Sequence, residues 1–142
     1  MDLLFGLLTV STVPWWLSML LFPESRATIR MVASPWPFVA LGGVYAALLL
    51  AAVIAGGPPA SLDADDLSAA LATPTGFLTA WAHMLALDLF AGVWIFRDAR
   101  FYGRLPRLEL IATWWAGPLG VALYLWRRRR WAGPDPNARV VN

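Results

Sequence analysis

The sequence predicts an all-α integral membrane protein, a four-helix transmembrane bundle with a short interfacial amphipathic helix. Three observations carry that fold class. Of 142 residues, 59% are apolar and only 14% charged, with a mean hydropathy of +0.60; soluble domains run at about 45–50% apolar and about 25% charged. Four apolar stretches, residues 3–22, 38–55, 77–96 and 110–126, are 20, 18, 20 and 17 residues long, against the roughly 17–25 that a crossing helix needs. Arginines flank these stretches, as headgroup anchors do. Hydrocarbon offers backbone groups no partner, so each stretch must pair its own and is helix. The length suits one domain. Residues 1–128 form it, and 129–142 are expected to be a polar, disordered tail.

Taken in order, the first stretch reads as a retained membrane helix. Asp2 stands where a signal peptide would be basic, and no small-x-small cleavage site follows. Pro14 should break or kink it. The connection 23–37 ends in Pro35-Trp36-Pro37, which cannot be helix interior. After Gly56-Gly57-Pro58-Pro59, Leu62, Asp66, Leu67, Ala70 and Leu71 recur at helical spacing, predicting a short helix in the interface. Its acidic start suits the helix dipole. The third connection, 97–109, carries four arginines, and the fourth stretch is marginal in length and bent by Pro118. Four crossings would put six arginines on one side and five on the other. The positive-inside rule then tilts slightly towards both termini outside, while the run 127–130 argues the opposite way.

Composition removes several functions. Without cysteine there are no disulfides, thiolate metal sites or thiol nucleophiles. All eleven basic residues are arginine, so no lysine can form a Schiff base. One histidine cannot build a bis-histidine haem site within the chain, and zinc ligands are too few. Neither a Gly-x-Ser-x-Gly turn nor a Gly-rich phosphate cradle occurs. No cofactor or metal is expected. No RNA-binding stacking motif accompanies the positive charge, so nucleic acid is not an expected partner.

The third stretch holds the candidate chemistry. His83 is the only histidine, and Asp88 is the only carboxylate deep within a span. Both lie within about 5 Å of the stretch's midpoint. An aspartate at that depth costs about 2.5–3.5 kcal/mol on insertion scales. Hydrocarbon disfavours an ionised carboxylate, so Asp88 reads as an acid in its neutral form, with His83 as the base or orienting group. The bland alternative is that each bonds a neighbouring helix and glues the bundle. Five residues turn a helix through about 140°, so the two do not share a face of a regular helix. Trp81, Phe90 and Trp94 would line the site. Arg97 and Asp98, at the helix end, would hold a polar ligand group.

Nine tryptophans divide by position. Trp36, Trp94, Trp126 and Trp131 fit an interfacial belt, and Trp15, Trp16, Trp81, Trp114 and Trp115 lie inside the stretches as core filler or as walls for a flat apolar ligand. Gly42, Gly43, Gly92, Gly117 and Gly120 are candidate points of close helix approach.

The run Trp81-x-His83-x-Leu85-Ala86-x-Asp88-Leu89-Phe90-x-Gly92-x-Trp94-Ile95, followed by Asp98, resembles the signature of the ABA-deficient-four-like family. Pro14-Trp15-Trp16 with Pro23, and Gly117-Pro118-Leu119-Gly120 with Tyr124, agree with it. The resemblance covers nearly the whole chain, about residues 1 to 128. It implies a small four-helix membrane protein tied to neoxanthin formation. In that conversion an epoxide opens and an allene forms by loss of a proton, a net isomerisation that needs an acid and a base and no redox cofactor. Asp88 and His83 are residue types suited to those roles. The implied ligand is a carotenoid or related isoprenoid, and the implied setting is the bilayer, as a homo-oligomer or with a carotenoid-pathway partner. The arginine-only, alanine-rich composition fits a bacterial member in an inner membrane. The alternative is a non-catalytic carotenoid-binding or assembly subunit.

Overall fold

The computed structural model describes residues 2–56 and 63–131, and every regular element among them is helical. In order they are α1 (Asp2–Leu21), α2 (Arg26–Ala33), α3 (Trp36–Gly56), α4 (Ala64–Ala72), α5 (Pro74–Phe101) and α6 (Arg107–Trp131). α1, α3, α5 and α6 are long and apolar enough to cross a membrane, consistent with an integral membrane protein. The Arg129–Arg130 pair, assigned to the tail from sequence, extends α6 to Trp131. Residues 132–142 of that tail lie outside the described residues.

α5 is the central helix, and its neighbours are in register along it. Phe5 packs on Phe77 and Trp81, Trp81 Nε1 donates to Thr9 Oγ1 at 3.0 Å, and Arg100 Nη1 donates to the Pro23 carbonyl at 2.5 Å. α1 and α5 therefore run parallel. α3 runs against them, since Phe38 meets Phe90 and Tyr45 meets His83. The core along α5 is built from Leu78, Ala82, Leu89, Val93 and Phe96, closed by Trp16 and Met19 of α1.

Three local outcomes differ from the sequence expectation. α1 runs unbroken through Pro14, so the break does not occur. The first connection is not simple loop: Ser25 caps α2, accepting from the Ala27 amide at 3.2 Å, and Thr28 and Trp15 tie α2 back along α1 by donating to Phe22 O and Met31 O at 2.7 and 3.2 Å. A cap residue followed by a helical apolar stripe is enough for two turns once a neighbour covers the stripe. The expected interfacial helix is present as α4, with Asp63 accepting from the Asp66 amide at 2.9 Å. Leu62, included in its pattern, lies outside the described residues.

The third difference is α6, where the expected bend is a reversal. Ala116 (φ −150°, ψ 45°) and Gly117 (φ 8°, ψ −79°) leave helical geometry, and Pro118 cannot donate back to Trp114. Glu109 and Arg127 would stand about 27 Å apart on a straight helix. Here Arg127 Nη1 lies 2.6 Å from Glu109 Oε1. Gly120 abuts Thr113 so closely that an added Cβ would fall 2.2 Å from the Thr113 amide nitrogen. α6 is thus a helical hairpin with arms 107–115 and 118–131. Arg104 packs over Trp131, so both ends of the hairpin lie beside the C-terminal end of α5. Its tip reaches Asp88, about 20 Å down that helix.

Candidate functional site

The tip of α6 and the middle of α5 make the most unusual place in the molecule. Gly117 lies against the Asp88 carboxylate: an added Cβ would stand 2.1 Å from Oδ1 and 3.4 Å from Oδ2. A side chain at 117 would force the Asp88 carboxylate to shift. Asp88 is half-buried and makes no hydrogen bond or ion pair with any described residue. One turn further along α5, Gly92 receives the Trp16 indole, which stacks on Trp114 with ring centroids 5.9 Å apart and planes at 7°. Trp16 is 1% exposed. This wedge from α1 fixes α5 against the first arm of α6, and with it the position of the tip. A carboxyl held beside a helix break, with a carbonyl freed by Pro118 nearby in sequence, can give a proton from one oxygen and take one on the other.

His83 is placed differently. It lies on the α3 side of α5, exposed, with its ring tilted against Tyr45 at a centroid distance of 5.5 Å. It is about 7.5 Å from Asp88 along the axis and has a different neighbouring helix. The structure therefore does not bring the two into one contact. Trp81 is held by Thr9 and the Phe5–Phe77 pair, and Phe90 meets Phe38 edge-on. Phe90 is 60% exposed, so it faces the surroundings of the bundle.

Asp98 and Trp94 converge on Tyr124. The Tyr124 hydroxyl donates to Asp98 Oδ2, Arg128 Nε donates to the same oxygen at 2.6 Å, and Arg128 Nη2 reaches Asp98 Oδ1 at 3.1 Å and the Tyr102 hydroxyl at 3.2 Å. Trp94 packs edge-on to Tyr124 at 5.4 Å. Asp98 is thus engaged by the second arm of α6, while Arg97 beside it is exposed. Sequence reading did not single out Arg128, nor the Glu109–Arg127 pair. The available signal was a carboxylate in the first turn of a stretch that ends in four arginines.

Other assignments sort by environment. Gly92, Gly117 and Gly120 are close-approach points, but Gly42 and Gly43 have nothing within 4 Å of an added Cβ. Trp114 is half-buried, whereas Trp115 is 84% exposed and fills no core, because the reversal after it turns its side outward. An open groove of about 310 Å³ runs between α1 and α3, from Leu4 to Trp15 on one wall and Pro37 to Val44 on the other, with Leu89 as its floor. Its two hydroxyls, Ser11 and Thr12, donate to carbonyls of their own helix.

The model of the ABA4-like family, described as ABA DEFICIENT 4-like, matches residues 3–124. The chain belongs to that family. The match runs from the start of α1 to Tyr124 in the second arm of α6, so it takes in Asp88, the Trp16 wedge and the hairpin tip. ABA4-like membership supports a role in carotenoid- and neoxanthin-related processes. Neither the curated proteins nor the solved structures contain a match to the chain.

Proposed function

We propose that this ABA4-like protein is a carotenoid- or isoprenoid-modifying enzyme of a bacterial inner membrane, an isomerase that works by proton transfer at Asp88. The observation that carries the reading is the Asp88 carboxylate set against Gly117 at the tip of the α6 hairpin, without a partner among the described residues. In the epoxide-opening form, the neutral carboxyl gives its proton to the epoxide oxygen as the carbon–oxygen bond breaks. The carboxylate then takes a proton from the carbon next to the cationic centre, and the electron pair left behind forms the new double bond. Atoms and electrons balance without a cofactor, and Asp88 ends as it began. A double-bond shift would follow the same exchange through protonation of the polyene. His83, about 7.5 Å from Asp88 along the helix axis, orients the ligand with Tyr45, or serves as base at a different atom of an extended chain. Trp81, Phe90 and Trp94 flank the ligand's path along α5. Arg97 takes a terminal hydroxyl at the interface, with Asp98 behind it, already engaged by Arg128.

The test is pigment chromatography with mass detection in hosts that accumulate defined carotenoids, one of them an epoxide. Wild type should yield an isobaric product. Asp88→Asn should yield none while accumulating to the same level in membranes, since a neutral amide at mid-depth costs no more than the acid. Product formation by Asp88→Asn at the wild-type rate removes Asp88 from the chemistry. The groove between α1 and α3 favours a second reading, a carotenoid-binding subunit, because it is long and apolar and has no titratable side chain in its walls. On that reading the purified protein carries unaltered pigment, and Leu41→Trp, which fills the groove, displaces it.

A further inference from the structure

The direction of α6 changes the charge map of the molecule. Three full-length helices, α1, α3 and α5, alternate in direction, so α1 begins at one end of the bundle and α5 finishes at the other. Because α6 doubles back, residues 127–130 return to the end where α5 finishes, as the contacts of Arg127 with Glu109, Arg128 with Asp98 and Arg104 with Trp131 require. Pro23 is at that end too, held by Arg100, and α2 with Arg26 and Arg30 folds back beside it. All ten arginines among the described residues therefore gather at one end, with only Glu24, Asp98 and Glu109 to offset them. At the opposite end are Asp2 and the acidic start of α4, with no arginine among the described residues. A straight fourth crossing would have split the arginines almost evenly.

The arginine end also has the form of a headgroup layer. Trp131 lies under Arg104 and Arg127, and Trp126 under Arg130 at 4.5 Å. Indole at the apolar boundary with guanidinium above it is the arrangement that the lipid interface favours. Arg97, Arg107 and Arg129 are exposed and have no carboxylate partner among the described residues.

We propose that the protein crosses the membrane three times, with α6 re-entrant from the cytoplasmic side, and that its arginine end binds the anionic phospholipid headgroups of the cytoplasmic leaflet. Positively charged segments stay in the cytoplasm during insertion, and the anionic surface of that leaflet attracts guanidinium groups. The N-terminus and α4 then face the opposite side.

The chain has no cysteine, so single introduced cysteines report sidedness without background. Ser68→Cys on α4, Arg104→Cys and Arg129→Cys are all at exposed positions. In intact cells a membrane-impermeant maleimide should label Ser68→Cys alone. After permeabilisation it should label all three, which also shows that each thiol is reactive. Labelling of Arg104→Cys and Arg129→Cys from opposite sides, or of Arg129→Cys in intact cells, overturns the topology. For the headgroups, the full chain in neutral detergent is titrated with phosphatidylglycerol, phosphatidylcholine or inorganic phosphate while Tm is followed. Phosphatidylglycerol alone should raise Tm, less so in Arg129→Gln/Arg130→Gln and less at high salt. An equal rise with phosphatidylcholine, or a rise with inorganic phosphate alone, overturns the headgroup assignment.

Discussion

Gly120→Ala tests the hairpin most directly. An added Cβ at Gly120 would meet Thr113 at 2.1 Å from Oγ1, 2.2 Å from the amide nitrogen and 2.5 Å from Cα. Two of those atoms are backbone, so no rotamer change relieves the clash. The arms must separate by about 1 Å to restore ordinary contact, which strains the Glu109–Arg127 and Asp98–Arg128 links further along. Overpacking of this kind costs about 1–3 kcal/mol. Alanine also favours helix over glycine by up to about 1 kcal/mol, so the net effect is a loss of about 1–2 kcal/mol. Gly43→Ala is the control, because nothing lies within 4 Å of its added Cβ. It keeps only the propensity gain and should stabilise by up to about 1 kcal/mol. Unfolding in mixed micelles with increasing sodium dodecyl sulfate, followed by circular dichroism, measures both. The two variants should move in opposite directions. A Gly120→Ala protein as stable as Gly43→Ala would refute the antiparallel packing of the arms.

The Glu109–Arg127 pair should be asymmetric, because Glu109 is 1% exposed and Arg127 40%. Arg127→Gln strands a buried carboxylate and should cost about 2 kcal/mol, whereas Glu109→Gln leaves an arginine that water can reach and should cost less than half of that; the same detergent titration ranks them. Tyr124→Phe keeps the ring against Trp94 but removes one donor from Asp98, for a loss of about 0.5–1.5 kcal/mol. Asp98→Ala should cost more in that assay, since it removes the acceptor from both Tyr124 and Arg128.

The long apolar helices were legible because apolar length is a one-dimensional property, and α1, α3 and α5 express it without interruption. Asp88 stands out in the sequence for a related reason: a lone carboxylate is conspicuous in the middle of an apolar helix. The reversal of α6 does not. Hydropathy averaged over 110–126 adds two arms as though they were one, and it carries no sign for direction. Gly117-Pro118-Leu119-Gly120 signalled a bend, but only the fit of Gly120 on Thr113 and of Gly117 on Asp88 turns a bend into a hairpin. His83 and Asp88 were separable from helical angles alone, and the structure adds which neighbour each one meets. α2 was hidden because two turns are too short a stripe to register in sequence, without the hydrogen bonds by which Trp15 and Thr28 tie it along α1.

The hairpin also bears on how the chain is made. Its arms of 9 and 14 residues are each too short to be taken up as a span by the insertion machinery. Neither has anywhere to lodge until α5 presents Gly92, Asp88 and Asp98. In the three-crossing topology proposed above, biogenesis is ordered: α1, α3 and α5 partition into lipid during synthesis, and α6 folds in afterwards onto an assembled surface. A ribosome-arrested chain in which an unrelated linker long enough to fill the exit tunnel follows residue 106 would already hold its final orientation. α6 docks by tertiary fit, not by hydrophobic partitioning alone.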